Sequence, residues 1–235
     1  MATDRLAVSE TFYSIQGEGQ TMGIPAVFLR LGGCNILCES KNWRCDTIEV
    51  WQRSKSLEFE DVLDSTFVDR LAQGAHLVIT GGEPLMQQRN VLKYLQWFAV
   101  KYLFHPTVEI ETNGTILPLQ ELKDYVHYWN VSPKLSTAGE HNTAKIRINK
   151  NALIFFSDEV NSIFKFVVSC ENDIDEIYAD YYPIIDREKI VLMPARSSRE
   201  ELDKTRQFVA ESCVKYKLRY SERLHIVIWN LKTGV

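Results

Sequence analysis

Residues 76–84 read HLVITGGEP: a short β-branched run that stops on two glycines, an acid and a proline. Such a run, bounded by turn residues, reads as a buried strand. The pattern recurs outward in both directions. AVFLRL (26–31) runs into GGC, TVEIE (107–111) into TNGT, YWNV (128–131) into SPK, and KIVLM (189–193) into PAR. FKFVV (164–168) and HIVIW (225–229) complete seven candidate strands. Helical periodicity fills most of the gaps. In 59–72 the stripe is Val62, Leu63, Phe67 and Leu71, and in 90–100 it is Val91, Leu92, Leu95 and Phe98. Further helices are expected at 118–126, 173–181 and 198–217, with Pro118 at a first helical position where its missing N–H costs nothing. Strand–helix alternation implies βαβ units and a mostly parallel sheet. Seven strands fall one short of a closed eight-stranded barrel. The expected fold is α/β, a partial (incomplete) βα barrel with a curved sheet, as one domain over 1–235. Residues 137–161 depart from the alternation and read as an insertion, with a strand pair at 146–148 and 152–156.

Composition narrows the function. The chain has 235 residues, 45% of them apolar and 25% charged, with a net charge of −4. That is ordinary for a globular protein with a real core, and mild acidity argues against coating a polyanion such as nucleic acid. No run approaches the ~18 apolar residues of a membrane span. The first residues lack a charged start followed by an apolar core, so a cytoplasmic protein is expected. Polar, glycine-rich clusters follow five of the strands. In parallel α/β sheets the ligand sits at the carboxyl ends of the strands, so the five converge on one mouth.

Three of the five cysteines are grouped, Cys34, Cys38 and Cys45, spaced C-x3-C-x6-C. Cys170 and Cys213 stand alone and read as packing residues. Three thiolates on one loop suit three irons of a 4Fe–4S cluster, leaving one iron open. Zinc with a fourth ligand from elsewhere, or no shared role, are the alternatives.

The surroundings carry a resemblance. FYSIQGEG (12–19), AVFLRLGGCN (26–35), CDT (45–47), VITGGEPLMQ (78–87), EIETNGT (109–115), VSPKLS (131–136), FKFVV, VLMPA (191–195) and RLHIVIW (223–229) occur in order along most of the chain. The chain thus resembles the radical S-adenosylmethionine (SAM) enzymes and, within them, the 7-carboxy-7-deazaguanine synthase family. GGEP alone points to the superfamily; IQGEG with FLRLGGCN and CDT points to the narrower group. It departs in the four extra residues between the second and third cysteines, and in Arg44 where an aromatic residue usually precedes the third.

The resemblance implies a radical SAM partial barrel and a lyase that turns 6-carboxy-5,6,7,8-tetrahydropterin into 7-carboxy-7-deazaguanine with loss of ammonia. A reduced cluster would split SAM, and the resulting radical would take hydrogen from C6 of the pterin. Cys34, Cys38 and Cys45 would hold the cluster and Thr47 a Mg²⁺; without the resemblance, Asp46–Thr47 reads as a turn or cap. SAM would meet Arg44, Asp46, Gly82, Glu83, Ser132, Lys134, Pro194, Ala195 and Arg196. The pterin would meet Ile15, Gln16, Gly17, Arg30, Thr80 and His225. The Gln16 amide is expected on a pterin edge, with Gly17 clearing the face. The Arg30 guanidinium is expected on the substrate carboxylate; its bland alternative is an ion pair with Glu18 or Asp46. For His225 that alternative is a hydrogen-bonded core residue, and for Lys134 a solvated side chain. A flavodoxin or ferredoxin as electron donor and a homodimer are implied too. The competing functions are a radical SAM activase acting on a partner protein and a zinc-stabilised binding module.

Overall fold

The computed structural model describes residues 4–40, 44, 45, 47–232 and 234. Its nine strands are β1 (Arg5–Ile15), β2 (Pro25–Leu31), β3 (Lys55–Glu58), β4 (His76–Gly81), β5 (Val108–Thr112), β6 (Tyr128–Val131), β7 (Ser162–Val168), β8 (Ile190–Pro194) and β9 (Arg219–Tyr220). They form one sheet in the order β3-β1-β2-β4-β5-β6-β7-β8-β9. From β2 to β9 every pairing is parallel, while β1 pairs antiparallel with both β2 and β3. This is the expected α/β partial barrel, extended at one edge by an antiparallel hairpin.

The helices are α1 (Ile48–Trp51), α2 (Phe59–Val62), α3 (Ser65–Ala72), α4 (Gln88–Tyr102), α5 (Ala144–Arg147), α6 (Lys150–Asp158), α7 (Glu171–Glu176), α8 (Arg199–Tyr216) and α9 (Leu224–Trp229). A π-helical turn, Ile177–Tyr181, continues α7. The helix expected over 59–72 breaks after Val62, because the Asp64 carboxylate accepts from Phe67 N at 3.1 Å and caps a second helix. The stretch 118–126 forms only a 3₁₀ helix, Gln120–Asp124.

Two expected strand regions are helical. Residues 152–156 lie in α6, which Asn149 caps by accepting from Ala152 N at 3.3 Å; 146 and 147 close α5. Residues 225–229 form α9 rather than the last strand, and the two-residue β9 takes the sheet edge instead. Both errors have one cause: a five-residue apolar run carries too little periodicity to separate strand from helix.

The pleat sorts the sheet into two faces. Val27, Leu29, Leu31, Leu77, Ile79, Val108, Ile110, Trp129, Val131, Phe164, Phe166 and Val168 join the core beneath the helices. The intervening positions, Phe28, Arg30, Thr80, Glu111, Asn130, Lys165, Val167 and Met193, line a cleft on the other face. Among the described residues, no helix is long and apolar enough to cross a membrane.

Candidate active site

The cleft has a volume of about 480 Å³. Cys34, Cys38, Arg44, Cys45, Thr47, Gly82, Ser132 and Lys134 line it, as do Ile15, Gln16, Gly17, Arg30, Thr80 and His225. Loops at the carboxyl ends of β2, β4 and β6 therefore converge with the 14–19 motif, as their positions after strands require. Four candidates lie outside the lining. Glu83 is fully buried just behind it, and Pro194, Ala195 and Arg196 pass beside it, where Ser197 takes their place. Asp46 lies outside the described residues.

The three grouped cysteines share one small apolar cluster with Ile36 and Ala138. Their donor set is entirely sulfur, the chemistry that suits iron–sulfur ligation. Among the described residues, no three His, Cys, Asp or Glu side chains converge as a single-ion site. A four-iron cluster takes one thiolate per iron, so its ligands stand around it rather than meet at a point, and the residues present fit it. Burial pushes the Cys38 thiol up to about 11, against the pull of the Lys134 ammonium. Burial raises Cys34 as well, and the Glu83 carboxylate adds to the rise. Both thiols are therefore protonated when metal-free, and loading a metal releases their protons. Thr47 Oγ1 stands 3.3 Å from Cys45 Sγ. Of the solitary cysteines, Cys213 is a buried packing residue, but Cys170 is exposed and caps α7 together with Asp173.

The GGEP turn presses against the cysteine loop. A Cβ on Gly82 would overlap the Gly33 carbonyl and stand 2.6 Å from Cys34 Cβ, so glycine here lets two backbones meet. Glu83 accepts from Leu85 N at 3.0 Å, Thr112 Oγ1 at 2.8 Å and Asn113 N at 2.7 Å. Asn113 in turn donates to Asn35 at 2.9 Å, and Asn35 donates to Thr115 Oγ1 at 2.8 Å. Glu83 thus wires the ends of β4 and β5 to the residue after Cys34. Lys134 Nζ donates to Ser132 Oγ at 3.1 Å, while its carbonyl accepts from Tyr181 Oη at 2.6 Å.

The segment 16–21 crosses the inside of the partial barrel and floors the cleft. Gln16 Nε2 donates to Glu109 at 2.5 Å and to Glu111 at 3.2 Å, and its Oε1 accepts from Glu18 N at 3.2 Å. Thr21 and Asn130 donate to the same buried Glu109. Both amide hydrogens of Gln16 are thus engaged within the protein, unlike the free pterin edge expected for them. The neighbour that excludes a side chain at Gly17 is His225: a Cβ there would overlap Nδ1 of the ring. His225 sits on α9, and Leu224 N donates to Gly17 O at 2.8 Å.

Among the described residues, Arg30 pairs with Glu10 and not with Glu18, one of the two acids foreseen for it; Asp46, the other, lies outside them. The Arg30 Nε lies 2.8 Å from Glu10 Oε1, directly across the β1–β2 ladder. Glu18 instead accepts from Lys165 and from Arg223 Nε at 3.0 Å, and Arg223 also donates to the Arg196 carbonyl at 2.7 Å. Burial pushes the Glu18 carboxyl up, but Lys165, Arg223 and His225 outweigh it and hold it well below the usual carboxylate range. Sequence reasoning missed Glu18, Glu111, Asn130 and Lys165 as cleft residues. The signal was present, since each shares strand parity with Arg30 and Thr80 or lies within IQGEG.

A family model described as a 4Fe-4S single cluster domain matches residues 15–154, more than half of the chain. A 7-carboxy-7-deazaguanine synthase from Pyrobaculum aerophilum is 36% identical over 99% of both chains. The chain belongs to the 7-carboxy-7-deazaguanine synthase family. Synthases of that name from Halobacterium salinarum (33% identical, 96% of this chain and 91% of that one) and Aquifex aeolicus (30%, 95% and 94%) agree. The crystal structure of QueE from Escherichia coli superposes with a TM-score of 0.67 at 26% identity, covering 94% of this chain and 95% of that one. These family members are radical SAM lyases, so the cysteine loop and the GGEP turn belong to an enzyme of that class.

Proposed function

We propose that the chain converts 6-carboxy-5,6,7,8-tetrahydropterin into 7-carboxy-7-deazaguanine and ammonia. One observation carries this reading: a single cleft joins an all-sulfur triad to the IQGEG floor, in a chain aligned end to end with synthases of that product. When bound, a 4Fe–4S cluster with SAM supplies the radical that abstracts hydrogen from the substrate. The chain's own residues bind, orient and exclude water. Cys34, Cys38 and Cys45 hold the cluster. Ser132, Lys134 and the backbone at Gly82 serve the polar groups of SAM, with Glu83 shaping that wall from behind and Pro194–Arg196 forming the rim. Arg30 offers its remaining guanidinium N–H groups to the substrate carboxylate while Glu10 fixes its plane. Thr80 and His225 contact the pterin, and Gln16 acts by holding Glu111 in place. Thr47 would offer its hydroxyl oxygen to a Mg²⁺ at the substrate. A homodimer, an external donor such as flavodoxin or ferredoxin, and one domain over 1–235 complete the reading.

The test is anaerobic reconstitution, iron and sulfide analysis, then incubation with SAM, dithionite and 6-carboxytetrahydropterin. Product of the deazaguanine mass, formed with release of ammonia, is expected. Tightly bound zinc with no iron uptake would overturn it, as would SAM cleavage without product.

A further inference from the structure

We propose that Asn142 is a positioning residue that clamps the Cys34–Cys38 loop in place. The inference rests on the iron–sulfur reading above and concerns how the loop is held. Asn142 is buried, and its Nδ2 donates to the Leu37 carbonyl at 2.8 Å and to the Ala138 carbonyl at 3.3 Å. Leu37 lies between the first two cysteines, and His141 Nε2 reaches the same oxygen. Ala138 packs on Ile36 and Cys38. Residues 136–142 therefore form a strap across the outer side of the loop.

The strap is itself rigidly anchored. Ser136 N donates to Glu176 at 2.8 Å, and Thr137 Oγ1 donates to Asp173 at 3.3 Å. Past the strap, the buried Arg147 lies 2.8 Å from Glu176 and 3.2 Å from Asp180 on the π-helical turn. On the inner side, Asn35 is tied to Asn113 and Thr115. The first two cysteines are thus gripped from both sides, by the buried amide of Asn142 on one and, through the exposed Asn35, by the buried amide of Asn113 on the other. Cys45 is placed differently: its N–H donates to the Cys38 carbonyl at 2.9 Å, and its neighbour Arg44 makes exposed ion pairs with Glu39 and Glu49. Exposed pairs constrain weakly. The enlarged spacing after Cys38 is therefore tolerable because the strap, not the arm to Cys45, sets the first two thiols.

Wild type, Asn142→Leu and His141→Ala are reconstituted anaerobically. Cluster loss to an iron chelator is followed by visible absorbance, and the dithionite-reduced cluster by electron paramagnetic resonance. Losing a buried hydrogen bond predicts release about tenfold faster and a broadened resonance for Asn142→Leu. His141→Ala, an exposed change that leaves folding intact, predicts about threefold. Wild-type release rates and an unchanged resonance in the variants overturn the clamp, and His141→Ala alone decides if Asn142→Leu does not fold. Failure of wild type to take up iron is a separate result: it removes the cluster reading and this inference with it.

Discussion

Replacing Lys165 with methionine tests whether a buried ion pair holds the cleft floor to the sheet. Glu18 accepts from Lys165 on β7 and from Arg223 at 3.0 Å, with His225 Nε2 3.9 Å away. Lys165 is 4% exposed, so methionine keeps its packing and deletes only the cation. Removing one partner of a buried pair costs roughly 3–5 kcal/mol, because the other charge is stranded. Arg223 remains on Glu18, which about halves the loss, to about 2 kcal/mol. For a chain of this size that is a drop in Tm of about 4–8 °C. Urea unfolding of the metal-free, reduced protein at pH 7 measures it, in a cycle with Glu18→Gln. The coupling energy should be about 2 kcal/mol. The folded carboxyl titrates below its ordinary 4.5, so its contribution is complete above pH 4.5 and is lost as pH falls through the folded value. The gap between wild type and Lys165→Met should narrow in that window. A cost under about 0.5 kcal/mol, or strictly additive effects in the cycle, would refute a latch between the floor and β7.

Three further outcomes are expected. The metal-free protein should lose stability between pH 9 and 11, because burial raises the Cys38 thiol from 9.0 to about 11 and the folded state resists its ionisation. The fall attributable to Cys38 is roughly 2–3 kcal/mol; Cys38→Ala should remove that share and leave that of Cys213, also pushed to about 11. In Gly17→Ala the new methyl group displaces the His225 ring, so turnover should fall at least about tenfold while SAM affinity holds; unchanged steady-state kinetics would detach His225 from the substrate wall. Thr47→Ala should blunt the Mg²⁺ dependence of product formation, and a titration superimposable on wild type would take Thr47 out of the metal site.

Much of the site was readable from local pattern. HLVIT ending on GGEP and AVFLRL ending on GGC each announced a strand and its functional turn, and β2 and β4 to β8 fall where those runs lie. The cysteine triad was legible because its members sit on one loop, as was the family through IQGEG and CDT. The misses share a different origin. β1 keeps Leu6 and Val8 in the core, and an irregularity between Val8 and Glu10 turns Glu10 and Phe12 to the cleft side, so neither a steady alternation nor an apolar run marked it. HIVIW and ALIFF looked like strands because their apolar runs are short; capping by Asn149, and the docking of Leu224 on Gly17, made them helical.

Strand order and chemistry follow from residues a few positions apart, where propensity, pleat parity and ligand spacing act. Partner choice does not. Arg30 took Glu10 because antiparallel pairing sets them side by side, and Glu18 took Lys165, 147 residues away, because the floor segment crosses the barrel. Gln16 spends its amide hydrogens on Glu109 and Glu111 for the same reason. A buried charge or amide must find a partner among whatever the closed sheet brings within reach. Local sequence encodes the need for such a partner; only the tertiary fold supplies it.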